Sequence, residues 1–227
     1  RNIMAQLSVL RTEIRNITGA QDTTEITDAV INDLINKGAN VLADEGNLFE
    51  AYGTRNAVSG TAEYTMLSGT DWTKVTESSS TTGKDLSDMT RIYRVDYDGN
   101  KCTRINKSAI YDIADDVSDF SFNTNKAYYI HQNKLGIFPI PSDTKEIKVY
   151  FFRTPTAMSS DSDTPESDTR YDEGLIYYAC WRVMERLRDT NMIPYFKNEF
   201  MEMKQKIIND GEKRFGEMTF EMPYNDF

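Results

Sequence analysis

The sequence has few of the residues that build metal sites and disulfides. Only two cysteines, Cys102 and Cys180, and one histidine, His131, occur among 227 residues. Two thiols and one imidazole cannot fill a tetrahedral structural zinc site without help from carboxylates. We therefore expect no metal, no cofactor and no required disulfide. Cys180 follows the apolar residues Tyr177 and Tyr178, which predicts a small buried side chain.

Long hydrophobic runs and an excess of basic charge are also missing. No apolar stretch approaches the roughly 18–20 residues that span a bilayer, and no charged-then-apolar leader follows Arg1, so we expect no membrane partner and no signal peptide. The net charge is −10 and the pI is about 4.7. Surfaces that hold duplex DNA usually cluster Lys and Arg. We expect DNA to pass at most as cargo along an acidic wall, although a solvated acidic surface is the simpler explanation.

Catalytic motifs are absent as well. The sequence contains no glycine-rich phosphate loop, nucleophile elbow, HExxH or CxxC motif. An acid–base pair needs burial that separates two pKa values, whereas the paired acids lie in polar stretches, at residues 115–116, 161/163 and 172–173. Residues 161–163 also lack the glycine and glutamate of a calcium loop. We predict that the protein is not an enzyme and that His131 is structural or exposed.

Helical periodicity is the first positive signal. Apolar residues that are spaced by three and four positions predict a first helix, namely Ile3, Leu7, Leu10, Ile14 and Ile17. This helix is predicted to end at Gly19. Thr27 is a good N-cap for a second helix, which Gly46 closes. Together these segments predict a helical hairpin.

From about residue 51 to residue 153 the period changes to two, which predicts strands. The expected strands cover residues 63–67, 91–97, 101–105, 127–131, 134–138 and 146–153. Turn sequences separate them, for example Gln132-Asn133. Residues 106–115 could form a helical turn. The Ser/Thr-rich residues 73–88 are predicted to be a mobile surface loop.

The remaining segments complete the predicted organisation. Residues 156–169 read as an acidic linker, and apolar stripes predict helices over 170–189 and from Pro194 to Gly211. The fold class is therefore α+β. Residues 1–50 and 170–215 are expected to form a helical bundle, residues 51–155 an inserted small antiparallel β-sheet domain, and residues 216–227 an extended C-terminal tail.

The tail and the aromatic strands are the candidate binding surfaces. The tail is rich in apolar groups that need a surface, and its predicted partner-contact residues are Met218, Phe220, Met222, Pro223, Tyr224 and Phe227. A tail folded back on its own domain is the alternative. Aromatic strand residues could stack sugars or single strands, namely Tyr93, Tyr97, Tyr128, Tyr129, Tyr150, Phe151 and Phe152. Core packing is more common for such residues, and without interleaved Lys and Arg a nucleic-acid role is weakly supported.

The order of several segments carries a family resemblance. Ile26-Thr27-Asp28-Ala29 in the helix pair is followed by Leu135–Pro141 (LGIFPIP), Lys148–Pro155 (KVYFFRTP), the acidic Asp161–Pro165 (DSDTP) and a helix from Tyr171. This order, which spans about residues 24–218, resembles the head-to-tail adaptor family of tailed bacteriophages. The Ser/Thr-rich insertion at 73–88 and the sparse alanine of the last helices depart from the family pattern.

The resemblance implies a structural role in the virion. Such adaptors form a ring of identical copies, typically twelvefold, which docks under the portal protein in the neck and offers a platform for tail and nozzle proteins around the DNA channel. The protein would be made in the cytoplasm of a bacterial host. Another neck or tail-tube ring component is the nearest alternative, and a carbohydrate-binding surface module is the alternative from a different class.

Overall fold

The computed structural model describes residues 5–21, 23–77, 79–108, 110 and 126–215. Over these residues it is mixed α+β, with four helices and two sheets, which confirms the predicted α+β class. The chain divides into two compact units. Arg1–Phe49 and Thr154–Phe227 form one, the helical unit, and Glu50–Arg153 form the other, the β unit.

The helical unit contains α1 (Leu7–Thr18), α2 (Asp28–Gly46), α3 (Asp172–Leu187) and α4 (Met192–Phe215), with a 3₁₀ turn at Thr169–Tyr171. The predicted stop and start signals are confirmed. Gly19 adopts the left-handed conformation after α1, and the Thr27 side chain accepts a hydrogen bond from the Val30 amide. Such a cap satisfies one of the amides that a helix start leaves unpaired.

The four helices share one hydrophobic core. Its fully buried side chains include Leu10, Ile35, Ala179, Val183 and Ile207. Ile17, expected in the buried stripe of α1, is instead 41% exposed. At 3.6 residues per turn, position 17 lies at the margin of the stripe made by the earlier apolar residues of the helix.

Gly211 does not end the last helix, contrary to the prediction, because α4 continues to Phe215. The glycine serves close packing instead. A Cβ atom at Gly211 would overlap the carbonyl oxygen of Gly46, and a Cβ at Gly46 would overlap the Ile207 side chain. Glycine at both positions therefore lets the two helix backbones approach each other.

The β unit contains two sheets. The larger is antiparallel with strand order β4-β3-β1-β10-β5-β6, and its strands are β1 (Glu50–Asn56), β3 (Trp72–Thr76), β4 (Ser80–Lys84), β5 (Met89–Tyr97), β6 (Asn100–Lys101) and β10 (Glu146–Arg153). The smaller has the order β2-β9-β8-β7, from β2 (Glu63–Thr65), β7 (Thr103–Arg104), β8 (Ala127–His131) and β9 (Lys134–Phe138). The first and last strands of the unit, β1 and β10, are neighbours, with Glu50 opposite Phe152.

The prediction of one antiparallel sheet is wrong in two respects. The predicted strand at 101–105 is two short strands, because the chain crosses from the larger to the smaller sheet at the buried Cys102. Strand β7 then pairs with β8 in parallel, with Thr103 opposite Ala127. The long connection between these strands permits a parallel pairing, which requires roughly a dozen residues or more.

Residues 73–88 are not a loop, contrary to the prediction. They contribute most of the hairpin β3–β4, in which the Thr76 amide donates to the Ser79 carbonyl at 2.8 Å. Two buried residues anchor the hairpin. The Trp72 indole donates to the Thr65 carbonyl at 2.7 Å, and the Leu86 amide donates to the Met66 carbonyl at 2.8 Å. Strand β1 was also not predicted, and most of the predicted turn at 106–115 lies outside the described residues.

Both sheets contribute to the core of the β unit. Ala51, Val149 and Phe151 are buried within it, together with Tyr64 and Leu135 of the smaller sheet. Because successive side chains of a strand point to opposite faces, the residues between them lie on the outer face of the larger sheet. These outer residues form the surface described next.

Candidate interaction surfaces

Metal-binding side chains do not cluster in the part of the chain that the structure describes. No cluster of three or more His, Cys, Asp or Glu residues suited to a metal occurs among those residues. Cys102 and Cys180 are free and buried, and burial raises the pKa of each thiol to about 12. Such thiols are not reactive nucleophiles. His131 is half-buried at the end of β8.

The acidic pairs serve the architecture. Asp161 forms an ion pair with Arg11 at 3.0 Å. The Asp163 carboxylate accepts hydrogen bonds from the amides of Ser160 and Ser159, and these bonds hold its pKa below the usual range. Burial at the start of α3 raises the pKa of Asp172. The third acidic pair, at residues 115–116, lies outside the described residues.

The segment predicted as an acidic linker, residues 156–169, is held against α1 and α2. The Leu7 amide donates to the Asp163 carbonyl at 2.8 Å. The Asn36 side chain donates to the Met158 carbonyl and accepts from the Met158 amide, both at 2.9 Å. Acidic residues of this segment therefore lie next to hydrogen-bonding groups of α1 and α2.

Arg15 stabilises the turn between α1 and α2. Its guanidinium donates to the carbonyls of Ala20 and Ile26 at 2.6 and 2.8 Å, and to the Asp28 carboxylate at 2.6 Å. Arg15 is buried, so these partners replace the water that the charge loses on folding. The sequence patterns did not reveal this role because it depends on contacts with a loop.

Four aromatic residues form a continuous surface on the outer face of the larger sheet, which we call the aromatic face: Tyr52, Tyr93, Tyr150 and Phe152. The Tyr52 and Tyr150 ring centroids are 5.8 Å apart, and those of Tyr93 and Phe152 are 4.8 Å apart. Phe152 is only 5% exposed, so the accessible part of the aromatic face consists of Tyr52, Tyr93 and Tyr150. The other aromatic residues predicted as platform members, Tyr97, Tyr128, Tyr129 and Phe151, are buried.

Basic side chains are interleaved with these rings, contrary to the expectation from the sequence. The Lys148 ammonium lies 3.8 Å from the Tyr52 ring centroid and 4.9 Å from that of Tyr150. The Arg94 guanidinium lies 5.3 Å from the Tyr150 centroid. Strand pairing brings Tyr52 of β1 beside Lys148 of β10 and Arg94 of β5 beside Tyr150, so the arrangement is not visible in any one segment.

The charges of the aromatic face are only partly compensated. Arg94 makes two hydrogen bonds with Asp96, at 2.7 and 2.8 Å. The Tyr93 hydroxyl donates to Glu50 at 2.8 Å, and burial together with this carboxylate raises the pKa of Tyr93. Lys148 has no carboxylate partner among the residues that the structure describes. An unpaired ammonium between tyrosine rings can accept an anionic group.

Other apolar side chains remain exposed in both units. Val58 and Ile140 of the β unit are each about half exposed, at 52% and 51%, and the same holds for Tyr195 of α4. Exposed apolar residues that are scattered singly in this way are normal on a protein surface. The six predicted tail contacts, Met218 to Phe227, lie outside the described residues.

The acidic charge is concentrated in the helical unit. That unit carries 13 Lys and Arg against 22 Asp and Glu, whereas the β unit carries 13 against 14. The net negative charge of the chain therefore comes almost entirely from the helical unit, whereas the β unit is nearly neutral.

Comparison with known proteins supplies the family. A family model described as SU10 adaptor protein matches residues 5–219. The chain belongs to the SU10 adaptor protein family. This is a phage head-to-tail adaptor family, so the resemblance found in the sequence is confirmed. No curated protein matches the sequence.

Membership of the SU10 adaptor family makes the chain a phage structural protein and a component of the virion. Adaptor families are not normally enzymatic. Within the described part of this SU10 adaptor, no helix is both long and apolar enough to cross a membrane.

Proposed function

We propose that this SU10 adaptor is a ring subunit that docks beneath the portal protein and provides the attachment platform for tail proteins. The ring contains twelve copies, surrounds the DNA exit channel and lies in the neck of the virion. The observation that carries this proposal is the family match, which spans both the helical unit and the β unit.

The surface of the helical unit supports a role in assembly. Its four helices bury a complete core, which we propose is a bundle, yet Val9, Ile17, Tyr195 and Met201 remain exposed on α1 and α4. In a ring, one patch of each subunit contacts a different patch of the next subunit. Each subunit therefore needs two apolar surfaces. We propose that the helical unit contacts its neighbours and the portal, while the β unit faces outward or towards the tail.

The C-terminal tail is the second proposed contact. Residues 217–227 contain Met218, Phe220, Met222, Pro223, Tyr224 and Phe227 but no Lys or Arg. A short segment of this composition gains free energy when a partner covers its apolar side chains. We propose that these residues make contacts between subunits.

DNA is proposed to be passing cargo. With 22 acidic residues, the helical unit would repel phosphate at a channel wall and let the genome slide. The isolated protein is therefore expected to show no measurable binding to duplex DNA at moderate salt. Duplex binding that weakens steeply with added salt would contradict this part of the proposal.

Imaging a mixture with the cognate portal tests the main proposal. The expected product is a ring of this chain beneath the portal, seen by electron microscopy. A ring located in the tail tube would favour the alternative neck or tail-tube component, and absence of any complex with portal would contradict docking. A chain truncated after Gly216 should bind portal less well, and unchanged binding would remove the role of the tail.

The carbohydrate-binding alternative has one feature in its favour, the aromatic face. Sugars stack on open ring faces, however, and here Lys148 and Arg94 lie over the rings of Tyr52 and Tyr150. This arrangement favours an anionic partner over a neutral sugar. A glycan array probed with the purified protein checks this expectation, since specific binding of a neutral glycan would restore the alternative.

A further inference from the structure

We infer that the aromatic face binds residues 217–227 of a neighbouring copy of the chain. This inference rests on the proposed ring, in which each copy has a neighbour within reach. The binding site of the tail is then a surface of the adaptor itself.

The first argument is the chemistry of the face. Tyr52 and Tyr150 flank the ammonium of Lys148, which has no carboxylate partner among the described residues. Arg91 lies over Phe152, with its guanidinium 5.2 Å from the ring centroid. The surface thus offers ring edges for apolar side chains beside the Lys148 ammonium for a carboxylate.

The second argument is the matching chemistry of the tail. Residues 217–227 carry the acids Glu217, Glu221 and Asp226 and no basic residue. Apolar residues alternate with other residues from Met218 to Tyr224, which is the period of an extended chain. Methionine sulfur and aromatic rings both contact tyrosine rings favourably. The segment therefore complements the face in charge and in side-chain type.

The length of the tail is sufficient. Eight extended residues reach roughly 26 Å at about 3.3 Å per residue, while six strands spaced by about 4.8 Å span roughly 24 Å. The aromatic face occupies only β1, β10 and β5 of those six strands. Residues 217–224 are thus long enough to cover it.

The helical unit offers a poorer site for an acidic segment. Without the tail it carries 19 acidic residues against 13 basic ones, a net charge that repels the acidic tail, whereas the β unit is nearly neutral. The groove between α2 and α3 contains cations, but Lys37 pairs with Asp33 at 2.7 Å and Arg182 with Glu185 at 2.6 Å. Arg186 of this groove, like Lys148, has no carboxylate partner among the described residues, but Lys148 differs because its ammonium lies between the rings of Tyr52 and Tyr150.

A labelled peptide tests the inference. A fluorescent peptide of residues 217–227 is titrated with the full chain, and fluorescence anisotropy reports binding. We expect saturable binding that Lys148→Gln weakens at least about fivefold, because one charge-assisted contact is lost at a partly exposed site. Lys134→Gln is the matched control, since it removes the same charge from β9 of the other sheet, and it should leave binding unchanged.

Photo-cross-linking locates the contact in the intact protein. The full chain carrying Phe220→p-benzoylphenylalanine is mixed with an isotope-labelled copy and irradiated. Mass spectrometry is expected to find cross-links between copies that end in β1, β5 or β10. Cross-links that occur only within one copy, or that end in the helical unit, overturn the inference.

Three further outcomes of the peptide experiment would also overturn it: no binding, equal binding of a peptide with the same residues in scrambled order, or no effect of Lys148→Gln. Displacement of the peptide by a thymidine oligonucleotide that binds more tightly would instead identify the face as a single-strand nucleic-acid site. If the peptide does not bind but the chain still forms a ring on portal, the inference fails and the proposed function stands.

Discussion

Gly211 of α4 packs directly against Gly46 at the end of α2. There is no room for a side chain at this point, because a Cβ on Gly211 would overlap the backbone oxygen of Gly46. A backbone atom cannot move aside as the end of a flexible side chain can. The two glycines therefore set the distance between these helices.

Gly211→Ala is expected to destabilise the helical unit. Alanine gains about 1 kcal/mol over glycine in a helix interior, but overpacking against a backbone costs about 1–3 kcal/mol. We expect a net loss of roughly 1 kcal/mol, measured by hydrogen exchange of α2 and α4 peptides, with β-unit peptides as internal reference. Asn209→Ala, an exposed position of the same helix, is the control and should not destabilise. Greater stability of Gly211→Ala would contradict the close packing.

Arg15→Met is expected to cost about 2–3 kcal/mol in the helical unit. It leaves the carbonyls of Ala20 and Ile26 without their donor and removes the closer of the two cations that pair with Asp28, the other being Arg11 at 3.4 Å. Arg15→Lys should recover only part of the loss, because an ammonium cannot reproduce the planar fork of donors. Urea unfolding followed by Trp181 fluorescence measures the change.

The matched control for Arg15 is Lys37→Met, which breaks the exposed pair between Lys37 and Asp33. Exposed pairs of this kind contribute less than about 1 kcal/mol. A loss at Arg15 no larger than that at Lys37 would show that the buried guanidinium does not hold the turn.

Asn36→Ala is expected to release the segment around Met158. The variant loses both hydrogen bonds with the Met158 backbone. Because a local opening costs only the contacts of that segment, limited proteolysis should become several-fold faster within residues 155–167. Asn32→Ala, one turn earlier on α2, is the control. An unchanged cleavage pattern would show that other contacts suffice to hold the segment.

Glu63 is expected to make stability depend on pH. The hydrogen bond from Lys107, at 2.8 Å, is the largest influence that lowers the pKa of Glu63. A carboxyl group whose pKa is lower in the folded protein stabilises the fold above its unfolded pKa of about 4.3. This stabilisation is lost as the pH falls through the folded pKa. Glu63→Gln should therefore destabilise the β unit at pH 7 by less than about 1 kcal/mol.

The difference between Glu63→Gln and the parent protein should shrink as the pH falls below about 4. Urea unfolding reported by Trp72 in a Trp181→Phe background measures it, since the Trp72 indole bonds to Thr65 of β2 beside Glu63. A difference that stays constant from pH 7 to pH 3 would mean that the charge of Glu63 does not contribute.

Local signals in the sequence predicted some elements accurately. The bounds predicted for β8, β9 and β10 agree with the structure. Alternating apolar residues mark these strands, and Gln132 and Asn133 adopt the positive φ angles of a tight turn between two of them. The N-cap predicted at Thr27 is also correct, because a threonine side chain there accepts a hydrogen bond from an amide of the first helical turn.

The errors arose where long-range packing decides the structure. Every residue of β4 is exposed, so no buried side chain marks it as a strand. The hairpin is anchored instead by Trp72 at the start of β3 and by Leu86, which follows β4. Gly211 resembles a helix stop until the backbone of Gly46 is seen beside it. A single sequence does not reveal which distant backbone lies near a glycine.

The aromatic face illustrates the same limit. The alternation of β10 places Lys148 and Tyr150 on one side, which the sequence alone can predict. Tyr52 and Arg94 join them through the register of β1 and β5, with both residues opposite Tyr150. Those pairings join segments that are about fifty to a hundred residues apart, so the basic residues among the rings became visible only in the folded sheet.

The chain enters the β unit at Glu50 and leaves it after Arg153, and Glu50 is opposite Phe152, the neighbour of Arg153, on the adjacent strand. Opposed residues of an antiparallel pair are only about 5 Å apart. An insertion with such closely spaced ends can be exchanged, shortened or enlarged without moving the segments to which it is joined. The helical unit is therefore expected to keep its fold when the β unit is replaced by another insertion with equally close ends.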